Sequence, residues 1–294
     1  VLPVIYYRIR TLGDSRMGMD LLRRHKPATG FLPIVDDRAL CRFVRFGLLN
    51  LPRGGTHRDG TGDEEACLVL LNGRCTVAAA KEKWEGLGAR NTVFDGRPYS
   101  VYIPRDASFQ VSTEEGCSLA ICRAPAKTKR VPRVIPPDQV KSRTVGKWNW
   151  RREVCDIMGN DSTIPETLIV GETINPPGNW SSVPPHKHDS ANLPVESKLE
   201  EIYFYKLRPP QGFGLQRLYT KEGDIDETYV IRDGDTLVIP RGYHPVVAAP
   251  GYSLYYLWVL AGEKRMMKPN DDPEHSWLKN CEPIISEVET SSRS

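Results

Sequence analysis

Apolar positions in this chain cluster in short runs, and little of the sequence carries the stripe of an amphipathic helix. The runs Arg42-Phe43-Val44-Arg45-Phe46, Ala66-Cys67-Leu68-Val69-Leu70-Leu71, Ser100-Val101-Tyr102-Ile103-Pro104 and Leu254-Tyr255-Tyr256-Leu257-Trp258-Val259-Leu260 have the length and the β-branched and aromatic content of buried strands. Between the runs lie turn residues, with 24 glycines and 24 prolines along the chain. This pattern predicts an all-β sandwich or barrel rather than a helix bundle. A short helix is expected only at the start of the segment from Asp36 to Phe46.

The pattern repeats. Glu64-Glu65 lies 136 residues before Glu200-Glu201, and Ile103-Pro104-Arg105 lies 136 residues before Ile239-Pro240-Arg241. The halves therefore read as two copies of one barrel, and 294 residues suffice for two separate cores. The expected division is a barrel over residues 1–125, a linker over 126–145, a second barrel over 146–270 and a tail over 271–294. The polar, Ser-rich stretch from Asn280 onward is expected to fray.

Charge narrows the range of partners. Forty Lys and Arg against 37 Asp and Glu leave a net charge of only +3, which gives no reason to expect nucleic acid or a membrane surface but leaves room for a small anion. The basic run Lys127-Thr128-Lys129-Arg130-Val131-Pro132-Arg133 reads as a solvated linker. Seven cysteines, an odd number with no Cys-x-x-Cys pair, do not form a disulfide framework. No apolar stretch has the length of a membrane span and the N-terminus lacks a signal-peptide pattern, so a cytoplasmic protein is expected. A homo-oligomer is compatible with all of this.

Half of the six histidines fall in two short segments. In Pro184-Pro185-His186-Lys187-His188, strand alternation puts both imidazoles on one face and Lys187 on the other. A carboxylate from Glu200-Glu201, and His244 at the end of Asp233-Gly234-Asp235-Thr236-Leu237-Val238-Ile239-Pro240-Arg241-Gly242-Tyr243-His244, would complete a shell of three histidines and one carboxylate with room for substrate. A His-x-His pair alone arises by chance roughly 0.12 times in a chain of this composition, so its context carries the reading. In the first half Ser108 stands at the repeat position of His244 and only His57 lies near the place of the pair. That half is expected to be structural.

These segments resemble the cupin superfamily. Within it, Gly178-Asn179-Trp180-Ser181-Ser182-Val183-Pro184-Pro185-His186-Lys187-His188-Asp189, Leu199-Glu200-Glu201-Ile202-Tyr203-Phe204-Tyr205 and Gly242-Tyr243-His244-Pro245-Val246 resemble the 5-deoxyglucuronate isomerase family of inositol catabolism. The resemblance implies two cupin barrels in tandem. It also implies one divalent metal, zinc or manganese, on His186, His188, Glu201 and His244, since the residue just before the aliphatic-aromatic run is the ligand in cupins. Glu200 would then point outward or cap a loop. The interval from His188 to Glu201 is long for a cupin and implies an inserted loop at the mouth of the site.

A divalent metal with open positions polarises a carbonyl and acidifies its neighbour, as aldose–ketose isomerisation requires. The resemblance supplies the reaction: 5-deoxy-D-glucuronate, a small anionic sugar acid, to 5-dehydro-2-deoxy-D-gluconate. Tyr203 and Tyr205 follow Glu201 at even spacing and share its face, which makes all three candidates for the chemistry. Lys187 alternates away from it. For the substrate's carboxylate we expect Arg217, with Tyr219 on its face and Gln216 on the other, as the substrate-binding set. Arg241, whose repeat mate is Arg105, reads as structural. Three alternatives share these residues: the 4-deoxy-5-oxouronate isomerase of pectin breakdown, a metal-dependent dioxygenase, and a sugar-binding bicupin without activity.

Overall fold

In the computed structural model, residues 20–291 are described. The N-terminal residues read for a signal peptide, and both ends of the expected domain division, lie outside them. Strands dominate. In the first half a six-stranded sheet, ordered Arg133–Ile135, Ser100–Ile103, Glu64–Gly73, Cys117–Pro125, Arg45–Leu51 and Gly30–Val35, accompanies a four-stranded sheet of Thr56–Gly60, Ser108–Ser112, Cys75–Ala79 and Glu82–Leu87. In the second half a seven-stranded sheet runs Leu22–Arg23, Thr236–Ile239, Glu200–Arg208, Ser253–Ala261, Ile169–Asn175, Arg152–Met158 and Lys141–Val145. It accompanies a four-stranded sheet of Trp180–Ser181, Val246–Ala248, Gly214–Tyr219 and Asp226–Ile231.

Each long strand of the large sheets is buried on both faces, and the two faces serve different cores. From Glu64–Gly73, the residues Ala66, Leu68 and Leu70 join Val77, Phe109, Val111 and Ile121 in an apolar cluster that fills the first barrel. The alternate residues Cys67, Val69 and Leu71 join Ile202, Phe204, Leu257 and Val259 of the second barrel in a common core. The Phe46 and Phe204 rings meet there at 5.6 Å. Arg90, 4 % exposed, crosses the same boundary to a bidentate contact with Glu172 at 2.7 and 3.0 Å.

Four expectations need correction. The segment after Asp36 makes a single turn and no helix: the Asp37 carbonyl accepts the N–H groups of Leu40 and Cys41, but those of Arg42, Phe43 and Val44 go to the Glu200 carboxylate instead of continuing a helical ladder. The stretch 126–145 is no free linker. Arg133–Ile135 extends the first large sheet and Lys141–Val145 edges the second, while Leu22–Arg23 crosses over to pair with Thr236–Ile239. The basic run is docked as well, since Lys127 and Thr128 donate their N–H groups to Glu166 and Arg130 donates to the carbonyls of Thr163 and Ile164. Finally, the tail holds a strand, Asn270–Asp271, and a helix, Leu278–Ser291, pinned by buried Ile285 and by Trp150 Nε1 donating to Glu282 Oε1 at 3.2 Å. No described helix is long and apolar enough to cross a membrane.

Candidate metal centre

Inside the second barrel His188, Glu201 and His244 each offer one ligand atom, and these atoms lie within 4.8 Å of one another. All three residues are buried, His244 completely. His186 is half-buried beside them, its ring centroid 4.9 Å from that of His244 and 6.4 Å from that of His188. The structure thus brings together the four residues of the expected shell.

The backbone fixes which nitrogen of each ring faces the centre. His188 Nδ1 donates to the carbonyl of Leu199 at 3.0 Å and His244 Nδ1 to that of Gly242 at 2.9 Å. Both Nε2 atoms then converge on one oxygen, Glu201 Oε2, at 3.0 and 3.2 Å. His244 Nε2 is buried without a hydrogen-bond partner. With both Nδ1 protons committed to backbone carbonyls, the two rings in their neutral form present both Nε2 lone pairs to the Glu201 carboxylate, an arrangement that a divalent ion between them would satisfy, so the donor set and its orientation fit such an ion. Burial alone would raise the Glu201 pKa, but the His188 hydrogen bond and the charges of His188 and His244 outweigh it and hold the carboxyl at about 2. Burial would lower His188, yet the Glu201 contact raises it. His186 is pushed well below its ordinary value by burial and by the two neighbouring histidines.

Lys187 points away from the centre and fastens the pair from behind. Its Nζ donates to Asp189 and to both oxygens of Glu196 at 2.9 and 3.0 Å. Asp189 Oδ2 in turn accepts the N–H of Gly242 at 2.8 Å, which ties the His-x-His segment to the turn that carries His244. Gly242 has φ +94, and a Cβ there would lie 2.6 Å from the carbonyl of Tyr219, so the turn excludes other residues. On the other side His186 pairs with Asp271, expected in the tail, and Lys187 with Asn270, expected at the very end of the second barrel. The long interval before Glu201 folds as a hairpin, Asp189–Asn192 against Glu196–Lys198.

Tyr203 and Tyr205 share the inward face with Glu201. The Tyr203 ring lies 5.8 Å from that of His244, and its hydroxyl is 3.2 Å from Ser182 Oγ. Tyr205 donates to Gln216 Oε1 at 2.9 Å, and Gln216 Nε2 donates to the carbonyl of His244 at 2.6 Å. Gln216 is therefore the inward residue of Gly214–Tyr219. Arg217 departs from its expected place: it lies on the opposite face, partly exposed, paired with Asp226 at 3.0 Å and stacked 4.0 Å over the Tyr219 ring. Tyr219 Oη donates to Asp272 at 2.6 Å, beside the segment that pairs with His186. Arg241 pairs with Asp224 and stays outside the centre.

A further part of the inner face, on the same large sheet as Glu201, was not foreseen from the sequence. Register partners Tyr205↔Tyr256, Tyr256↔Thr173 and Thr173↔Val154 share one face, and two residues before Val154 that face carries Arg152. Tyr256 stacks on Tyr203 at 4.4 Å. No motif marks these positions, and only strand pairing reveals them.

In the first barrel the repeat differs by one residue from the spacing seen in sequence. Ala66 pairs with Ile103 as Glu201 pairs with Ile239, a spacing of 135 residues between Ala66 and Glu201. Fully buried Ala66 thus stands where the second barrel has Glu201, within an apolar interior.

The KduI/IolB family profile matches residues 21–278. A protein named 5-deoxy-glucuronate isomerase from Geobacillus kaustophilus is 45% identical over 237 residues, covering 80% of this chain and 86% of that protein. One of the same name from Bacillus subtilis is 37% identical, covering 80% and 88%. Among solved structures, an IolB-like protein from Salmonella typhimurium LT2 superposes with a TM-score of 0.86 at 34% identity, covering 88% of this chain and 99% of that one. An oxalate decarboxylase from Lactobacillus farciminis, 11% identical with a TM-score of 0.61 over 85% of this chain and 86% of its own, shares the fold alone. The architecture is all-β, with two cupin barrels in tandem.

Proposed function

The chain belongs to the KduI/IolB family, and from that premise we infer that it is a metal-dependent aldose–ketose isomerase converting 5-deoxy-D-glucuronate to 5-dehydro-2-deoxy-D-gluconate in inositol catabolism. The observation that carries the reading is the convergence of His188 and His244 on Glu201 inside the one barrel with a polar interior, in a chain whose relatives bear that activity in their names. The reaction moves hydrogen from C2 to C1 and a proton from the C2 hydroxyl to the former aldehyde oxygen, with no net oxidation. His186, His188, Glu201 and His244 would hold a divalent ion, zinc or manganese, which when bound would supply Lewis acidity for polarising the substrate's carbonyl.

The remaining parts belong to the protein. Glu201, with its carboxyl held at about 2, stays anionic and contributes charge rather than a proton. Burial pushes the Tyr203 phenol well above its usual range, so it faces the substrate as a neutral O–H donor, with Ser182 within reach of its oxygen. Tyr205 and Gln216 act one step back, holding the backbone at His244. The small anionic substrate enters a site walled by Tyr203, Tyr256 and Trp258.

Anaerobic incubation of the metal-loaded protein with 5-deoxy-D-glucuronate, followed by proton NMR, tests the reading. Appearance of the ketose acid is expected, with slower turnover of 4-deoxy-5-oxouronate. Preference for the second uronate, or turnover only with oxygen, would overturn it.

A further inference from the structure

The uronate has a carboxylate at the opposite end of its open chain from the aldehyde, and a cation has to receive it. Arg217, the residue expected for this, faces outward. We propose that Arg152 binds the substrate's carboxylate and so selects sugar acids over neutral sugars. This rests on the functional reading above and adds its missing anion site.

Three observations single out Arg152. It opens the strand Arg152–Met158 on the inward face, next to the Thr173–Tyr256–Tyr205 row, and its charge acts on Tyr256, Tyr203 and His186. Among the described residues no carboxylate lies within ion-pair distance of it. The carboxylate whose charge acts on it, Glu282, already accepts Trp150 Nε1. Among the described residues its guanidinium uses one donor, Nη1 to the carbonyl of Trp150 at 3.1 Å. The other deeply placed arginines are saturated, Arg90 by Glu172 and the carbonyls of Leu70 and Gly96, and Arg265 by five carbonyls from Met158 to Leu168.

A half-buried guanidinium with most of its donors free and no anion beside it is a receptor in waiting. Burial lowers its pKa, a desolvation cost that an incoming carboxylate offsets. The planar fork suits two parallel hydrogen bonds to carboxylate oxygens. The helix Leu278–Ser291, through Glu282 and Trp150, holds the segment that presents it.

The test compares Arg152→Met and Arg152→Lys with the parent, all metal-loaded, on 5-deoxy-D-glucuronate and on its neutral counterpart with a hydroxymethyl group in place of the carboxylate. With equal metal content and circular dichroism, Arg152→Met is expected to raise KM for the uronate by roughly tenfold or more, leaving the neutral substrate within about threefold. Arg152→Lys should fall between them. Equal losses on both substrates, or unchanged uronate KM, would overturn the proposal. If the parent does not isomerise the uronate, the functional reading fails separately, and Arg152 is still tested by calorimetry with gluconate as probe. Weaker gluconate binding by Arg152→Met, with glucitol binding unchanged, supports the anion site, and equal gluconate binding removes it. Should Arg152→Met fail to fold, Arg152→Lys carries both comparisons.

Discussion

Glu65 and Glu200 perform one task from opposite barrels. Glu65 accepts the N–H groups of Glu166, Thr167 and Leu168 at 2.8, 2.7 and 2.7 Å, and Glu200 accepts those of Arg42, Phe43 and Val44 at 2.9, 2.7 and 3.3 Å. Each carboxylate clasps a backbone segment of the other half. The next residue on each strand turns inward, and there the barrels part company, with Glu201 in one and Ala66 in the other.

Adjacent carboxylates with such different partners should fail differently. Glu200→Gln replaces one accepting oxygen by an amide facing backbone N–H groups, which should lower stability by about 1–3 kcal/mol while metal content stays at one ion per chain. Glu201→Gln should lose the metal and activity while the barrel contacts of Glu200 persist. Elemental analysis beside chemical denaturation reads both, and metal loss in the Glu200 variant alone would reverse the assignment.

Arg217→Ala should leave metal content and uronate KM within about twofold of the parent. Its Asp226 partner is exposed, and such surface pairs contribute at most about 1 kcal/mol. A tenfold rise in KM would return the carboxylate site to that strand.

The four candidate ligands are legible in sequence because they occupy short segments whose spacing and turn survive without knowledge of the fold. Arg152 is not, because its inward orientation depends on three successive strand pairings, none marked by a motif. Alternation correctly separated Gln216 from Arg217, but no ligand on that strand told which face was inward. The repeat was visible, yet a Glu-Glu doublet matches itself almost equally well when shifted by one residue, so Glu65 was aligned with Glu201 rather than with Glu200. The helix Leu278–Ser291 is polar along most of its length. Its stability comes from contacts with Trp150 and Lys147 that only the tertiary structure supplies.

The boundary between the barrels should depend on Arg90. Its partner Glu172 is 3 % exposed and also accepts Tyr255 Oη at 2.6 Å. Arg90→Met would leave a buried carboxylate without its cation, at a cost of about 3–5 kcal/mol, and a second change, Glu172→Gln, should recover part of that loss. Urea denaturation of the single and double variants measures the coupling. A loss under about 1 kcal/mol in Arg90→Met would show that the Arg90–Glu172 pair is not what joins the halves.

Metal binding should release a proton from His188. In the metal-free protein the Glu201 carboxyl is held at about 2, His186 is driven well below 6.5, and His188 is raised above 6.5 by Glu201. At and below pH 6.5 the cluster therefore holds His188 mainly as an imidazolium against the Glu201 carboxylate, and an ion taking Nε2 has to displace that proton. The sign follows from the two shifts. The raised His188 value stabilises the metal-free fold below 6.5 and loses that contribution as pH climbs through the folded value, whereas the lowered Glu201 value stabilises it above 4.5 and loses that as pH falls through about 2. Metal affinity should consequently rise by up to about tenfold per pH unit until His188 is neutral, then level off. Calorimetric titration at pH 6.5 in two buffers of different ionisation enthalpy should show net proton release on metal uptake, falling toward none at more alkaline pH. Metal uptake with no proton released at either pH would mean that Glu201 does not hold His188 as a cation.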